Sequence, residues 1–110
     1  MEAISDILAV TDQNFESVVE GSPGLAVVEF GADWCSICRA MAAVVEELAR
    51  DLAGTALVAT LDVDANPVTA ARFGVRSLPT FLFFKDGTLA ERMVGFVPRA
   101  ALEATLAQLA

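Results

Sequence analysis

Two cysteines, Cys35 and Cys38, are the residues of this 110-residue chain whose type and spacing promise chemistry. Only Ser36 and Ile37 stand between them. At the start of a helix that spacing puts both sulfurs on one face, within disulfide reach. Such a pair can cycle between dithiol and disulfide, one sulfur attacking and the other resolving. Two other readings share the spacing: inert thiols packed into a helix end, or half of a metal site. Tetrahedral zinc takes about four Cys or His ligands. The chain offers two thiols and no histidine, so zinc or an Fe–S cluster would need a second chain or an outside ligand. The missing histidine also excludes Ser-His-Asp and Cys-His catalytic pairs.

The elements around the cysteines suit the redox reading. Leu25 to Phe30 is a nearly continuous apolar run, the pattern of a strand buried on both faces. From Cys35 to about Ala53 the period changes: Met41, Val44, Val45, Leu48 and Leu52 recur at helical steps and Gly54 ends the run. The pair therefore opens a helix directly after a buried strand. Unpaired N–H groups of the first turn favour negative charge there, so a thiolate on Cys35 is stabilised without an imidazole. Cys38, in the helix body, is expected to be the more buried.

Ile7 to Val10 reads as a short strand. Thr11 stands at an N-cap position, and Phe15, Val18 and Val19 follow at helical spacing until Gly21. Ala56 to Val63 is another buried strand, and Asn66-Pro67 reads as a cap with proline at the first helical position. Thr80–Lys85 and Thr88–Val94 flank Asp86-Gly87, a hairpin signal. From Pro98, Leu102, Leu106 and Leu109 share a helical face. The order β-α-β-α-β-α-β-β-α implies an α/β chain, a mixed sheet with helices on both faces. No repeat or linker divides residues 1–110, and a single domain is expected.

Charge is unevenly placed. Residues 1–38 hold seven acids and no Lys or Arg, whereas eight acids and seven bases follow, giving the net charge of −8. An acidic N-terminal third argues against nucleic acid as a partner. No apolar run approaches the ~18 residues of a membrane span. The first six residues place no basic segment ahead of an apolar stretch, so a secretory signal is not expected and the cytoplasm is the default.

Glu29 stands out within its strand, between Ala26-Val27-Val28 and Phe30. Buried there, its carboxyl would hold its proton more tightly. A glutamate reaching solvent from the strand end is the plainer alternative.

Ala32-Asp33-Trp34-Cys35-Ser36-Ile37-Cys38-Arg39 resembles the thioredoxin family. So do Asp62-Val63-Asp64-Ala65-Asn66-Pro67, Val75-Arg76-Ser77-Leu78-Pro79-Thr80, Lys85-Asp86-Gly87 and Val94-Gly95, and the likeness runs from Ile7 to Ala110. The resemblance implies a thioredoxin-like fold of about five strands and about four helices, with Cys35 as nucleophile and Cys38 as resolving thiol. It implies a cis Leu78–Pro79 bond, whose peptide groups bind an extended substrate strand. Trp34, Ile37, Val63, Ser77, Val94, Gly95 and Phe96 match the family's apolar substrate groove. Glu29 matches a buried carboxylate that accepts the proton of the resolving thiol. No cofactor is implied beyond the Cys35–Cys38 disulfide itself. The chain has no G-x-G-x-x-G fingerprint, so electrons would come from a thioredoxin reductase-type donor and pass to client proteins with disulfides. A monomer is expected.

The chain also departs from the family pattern. Ser36-Ile37 replaces the usual Gly-Pro, which points to a potential above the ~−270 mV of thioredoxin and well below the strongest oxidants near ~−120 mV. Gly31 stands where an aromatic residue is usual, which is expected to loosen the segment before Trp34. Ala43 replaces a helix proline, and Thr60 replaces a lysine near the buried carboxylate. A glutathione-linked glutaredoxin-like protein, or a binding module with an incidental disulfide, is the alternative.

Overall fold

Five strands form one mixed sheet in the computed structural model, which describes residues 6–110. In chain order the strands are β1 (Leu8–Ala9), β2 (Leu25–Gly31), β3 (Ala56–Asp62), β4 (Thr80–Lys85) and β5 (Thr88–Val94). Their spatial order is β1-β3-β2-β4-β5. β3 runs parallel to both β1 and β2, and β4 is antiparallel to both β2 and β5. The helices are a five-residue turn at Glu16–Glu20, then α1 (Ser36–Asp51), α2 (Pro67–Arg72) and α3 (Arg99–Leu109). This is the thioredoxin-like α/β architecture implied by the sequence. The first five residues, including most of the segment read for a leader, lie outside the described residues.

Alternation along β2 divides the core in two. Ala26, Val28 and Phe30 pack with Phe15, Val19, Ala70 and Phe84 under the short turn and α2. Val27 packs with Met41, Val45, Leu48, Phe81, Leu102 and Leu106 under α1 and α3. Helices therefore cover both faces. Arg99 clips the second layer together through Glu103, Glu47 and Asp51, so one guanidinium spans α1 and α3. Among the described residues no helix is long and apolar enough to cross a membrane.

Two local expectations are corrected. Thr11 does cap, with its Oγ accepting from the Asn14 N–H at 3.2 Å and the Asn14 side chain accepting in return from the Thr11 N–H at 2.7 Å. The regular run starts only near Glu16, however, and it closes with a Gly21 N–H to Glu16 carbonyl bond of 2.8 Å, a wide i→i+5 turn. Asn66 stands at the N-cap position with Pro67 after it, as expected, yet its side chain does not cap α2. Asp12 does so from across the chain, accepting from the Val68 and Thr69 N–H groups at 3.2 and 2.8 Å. The Asn66 side chain instead accepts from the Asp12 N–H and donates to the Asp62 carbonyl, tying two loops.

The β4–β5 hairpin turns on Asp86 and Gly87, with φ of 50° and 82°. Gly87 also lies so close to Glu20 that an added Cβ would stand 1.9 Å from its carbonyl oxygen. Gly87→Ala is therefore expected to cost at least about 1–3 kcal/mol, read as a lower urea midpoint with an unchanged slope.

Candidate active site

Register brings the functional loops together. Gly31 pairs with Asp62, Phe30 with Thr80, and Thr80 with Val94, so four strand ends align at one edge of the sheet. There the chain leaves β2 through Trp34 and Cys35, leaves β3 through Val63, enters β4 through Ser77-Leu78-Pro79 and leaves β5 through Gly95-Phe96. Hydrogen bonds join the loops: Val63 N–H to the Gly31 carbonyl and Gly95 N–H to the Pro79 carbonyl, both 2.9 Å. The Leu78–Pro79 peptide is cis and Pro79 is buried. Among the described residues, neither peptide group of Leu78 takes a hydrogen bond.

The rim is apolar and open. Trp34, Ile37, Val94 and Phe96 are large exposed side chains, with Trp34 66% accessible. Val63, Leu78 and Gly95 are half-buried and Ser77 is exposed. The Trp34 indole N–H donates to the Asp64 carboxylate at 2.7 Å, which fixes the ring while leaving it in solvent. Nothing in the sequence marked Asp64 for that part, since the bond spans 30 residues.

Cys35 is the N-cap of α1, in an extended conformation, and both cysteines are free thiols. The Cys35 Sγ accepts the Cys38 N–H at 3.2 Å, one of the first-turn donors that stabilise negative charge. As whole residues Cys35 is buried, at 7% accessibility, and Cys38 half-buried, yet it is the Cys38 thiol that is desolvated. Gly31 stands against Cys38 with no side chain of its own. A Cβ there would meet the Cys38 Sγ at 3.0 Å. Gly31 keeps its place in the β2–β3 ladder, opposite Asp62. It opens a cleft of about 500 Å³ beside Cys38. The Cys38 thiol is nonetheless pushed up to about 12, first by desolvation and then by its hydrogen bond with Cys35.

Glu29 lies on the α1 side of β2, in the opposite alternation from Val28 and Phe30. It is 8% accessible, and its Oε2 has no hydrogen-bond partner among the described residues. It does not reach out to solvent from a strand end. Burial raises its pKa to about 7. Thr60 is its register partner on β3, so no cation stands across from it there. Its charge in turn raises the Cys38 thiol, and both groups line the same cleft.

A family model described as Thioredoxin matches residues 6–108. The chain belongs to the thioredoxin family. Thioredoxin of Staphylococcus aureus is 47% identical over 100 residues, which cover 91% of this chain and 94% of that protein. Thioredoxin 2 of Chlorobaculum tepidum is 46% identical over 89 residues, covering 81% of this chain and 82% of that one. As a thioredoxin-family protein it is a thiol–disulfide oxidoreductase, a protein disulfide reductase with a Cys-x-x-Cys redox pair. Thioredoxins work through that pair and bind no cofactor. Membership implies a thioredoxin reductase and client proteins in general.

Proposed function

We propose that Cys35 is the attacking thiol and Cys38 the resolving thiol in the reduction of protein disulfides. The observation that carries this assignment is the Cys38 N–H donated to the Cys35 Sγ at the start of α1. Negative charge on Cys35 meets a donor there, whereas burial holds the proton on Cys38. Cys35 attacks one sulfur of the client disulfide, forming a mixed disulfide and releasing the other client sulfur as a thiolate. Cys38 then passes its proton to Glu29, directly or through water, and attacks the Cys35 Sγ. The Cys35–Cys38 bond forms, and the second client sulfur leaves and takes up a proton. Two electrons and two protons from a thioredoxin reductase-type donor restore the dithiol.

Trp34, Ile37, Val63, Val94 and Phe96 supply the apolar surface against which a client segment lies. Ser77, Leu78, Pro79 and Gly95 shape the wall beside the cysteines. The open peptide groups of Leu78 can pair with an extended client strand in β fashion. We assign the work to a cytoplasmic monomer of one domain.

The Ser36-Ile37 dipeptide marks it as an atypical member. Without proline the first turn of α1 is less rigidly set, which alters the balance between dithiol and disulfide. A potential above ~−270 mV is expected in a glutathione or dithiothreitol titration. A value at or below that level contradicts the assignment of an atypical potential to this dipeptide.

A further inference from the structure

Gly31 is not required by its own backbone. It is the last residue of β2, pairs with Asp62 and does not have a positive φ. An alanine methyl at this position would stand 3.0 Å from the Cys38 Sγ and 3.5 Å from the Cys38 Cβ. Apart from its chain neighbours, no other atom of the described residues lies within 4 Å of it. Non-bonded carbon atoms rest at about 3.5–4.0 Å, and sulfur is larger. The Cys38 sulfur therefore occupies space that only glycine leaves. The aromatic residue usual in the family would keep its Cβ here only with that sulfur moved.

The two thiols differ in their freedom to move. The Cys35 Sγ is held by the Cys38 N–H at 3.2 Å, on the residue that caps α1. The Cys38 side chain instead borders a cleft whose wall includes Gly31, Ala32, Ala42 and Thr60, all small. Both thiols are free in this structure, and a disulfide brings two sulfurs to about 2.05 Å. Of the pair, Cys38 is the one with room to adjust.

We propose that Gly31 is a positioning residue for the resolving thiol. It lets the Cys38 sulfur rest against the end of β2, which favours dithiol over disulfide and lengthens the life of the mixed disulfide with a client. The inference rests on the assignment of Cys38 as the resolving thiol. In that step the Cys38 thiolate, its proton already given up, attacks the Cys35 Sγ. The Cys35–Cys38 bond forms, the bond from Cys35 to the client sulfur breaks, and that sulfur leaves with the electron pair and takes up a proton. Over the whole reaction the cysteine pair loses two electrons and the client disulfide gains them. A sulfur resting against Gly31 must quit that place before it attacks. A methyl at position 31 removes the resting place in the dithiol, whereas in the disulfide the sulfur is already committed to Cys35.

The test is Gly31→Ala, a substitution that meets Cys38 alone. In a glutathione titration its disulfide is expected to be favoured roughly tenfold over that of the wild type, the scale of mild overpacking. That factor corresponds to a potential about 30 mV lower. By linkage, the folded-to-unfolded ratio in urea should fall by the same factor in the reduced protein relative to the oxidised one. Acid-quenched single turnovers with insulin should show the mixed disulfide decaying several-fold faster. In a Cys38→Ala background the methyl should cost little, since only the 3.5 Å contact remains. An unchanged or higher potential overturns the proposal. So does a stability loss that is equal in both redox forms, or one that persists in the Cys38→Ala background. Failure of the resolving-thiol assignment shows separately, as a Cys38→Ser variant that bonds no client at Cys35. That adduct present with an unshifted potential in Gly31→Ala overturns the role of Gly31 alone.

Discussion

Between pH 4.5 and pH 7 the wild-type protein is expected to lose about 3 kcal/mol of stability that a Glu29→Gln variant keeps. The sign follows from where the proton is held. Burial raises Glu29 from 4.5 to about 7, so across that interval the folded protein binds a proton that the unfolded chain releases. Rising pH therefore favours unfolding. The contribution is fully present below pH 4.5 and is lost once pH has passed about 7. Glutamine has no proton to lose, and its buried amide adds a cost that does not change with pH. The quantity to measure is the difference between the two urea-unfolding free energies as pH is varied. A difference that stays flat from pH 4 to pH 8 contradicts burial of an unpaired carboxyl at this position. The same variant is expected to slow release of the client from the mixed disulfide, on the order of a hundredfold, the lower end of general-base effects. Unchanged single-turnover kinetics across pH removes Glu29 from the proton path.

Replacing Cys35 by serine is expected to reduce insulin-disulfide reduction to the uncatalysed background. The hydroxyl keeps the size and the N-cap position but has no accessible anion near neutral pH and cannot form a disulfide. The loss is chemical, so urea stability should change little. Cys38→Ser is expected to behave differently. Its first step proceeds and the protein stops as a mixed disulfide, because the thiol that resolves it is gone. Turnover at background in both variants, with covalent client only in the second, separates the two roles. Full activity in Cys35→Ser contradicts them.

Much of this was legible in the sequence because the deciding signals are local. The apolar run Leu25–Phe30, the helical period from Met41 to Leu52 and the Asp86-Gly87 hairpin each fix an element from a few neighbouring residues. The cysteine pair was readable for the same reason, as its spacing alone sets up the helix-start geometry. Contacts that join distant segments were not. The Asn66-Pro67 signal placed the start of α2, but the carboxylate that caps it, Asp12, comes from more than fifty residues away. The close approach of Gly31, at the end of β2, to the Cys38 side chain on α1 is likewise not legible from helix position alone. Glu29 lies between these cases. Its strand neighbours announced that it was buried, but the lack of a partner for Oε2 among the described residues and the cleft that Glu29 shares with Cys38 emerge only in three dimensions.

The central claim is that clients bond to Cys35 and are released by Cys38. It is tested most directly by mixing the Cys38→Ser variant with insulin, quenching with acid and mapping the adduct by peptide mass. A client peptide joined to Cys35, stable until dithiothreitol is added, is the predicted result. Recovery of unmodified Cys35 from a folded variant contradicts the account.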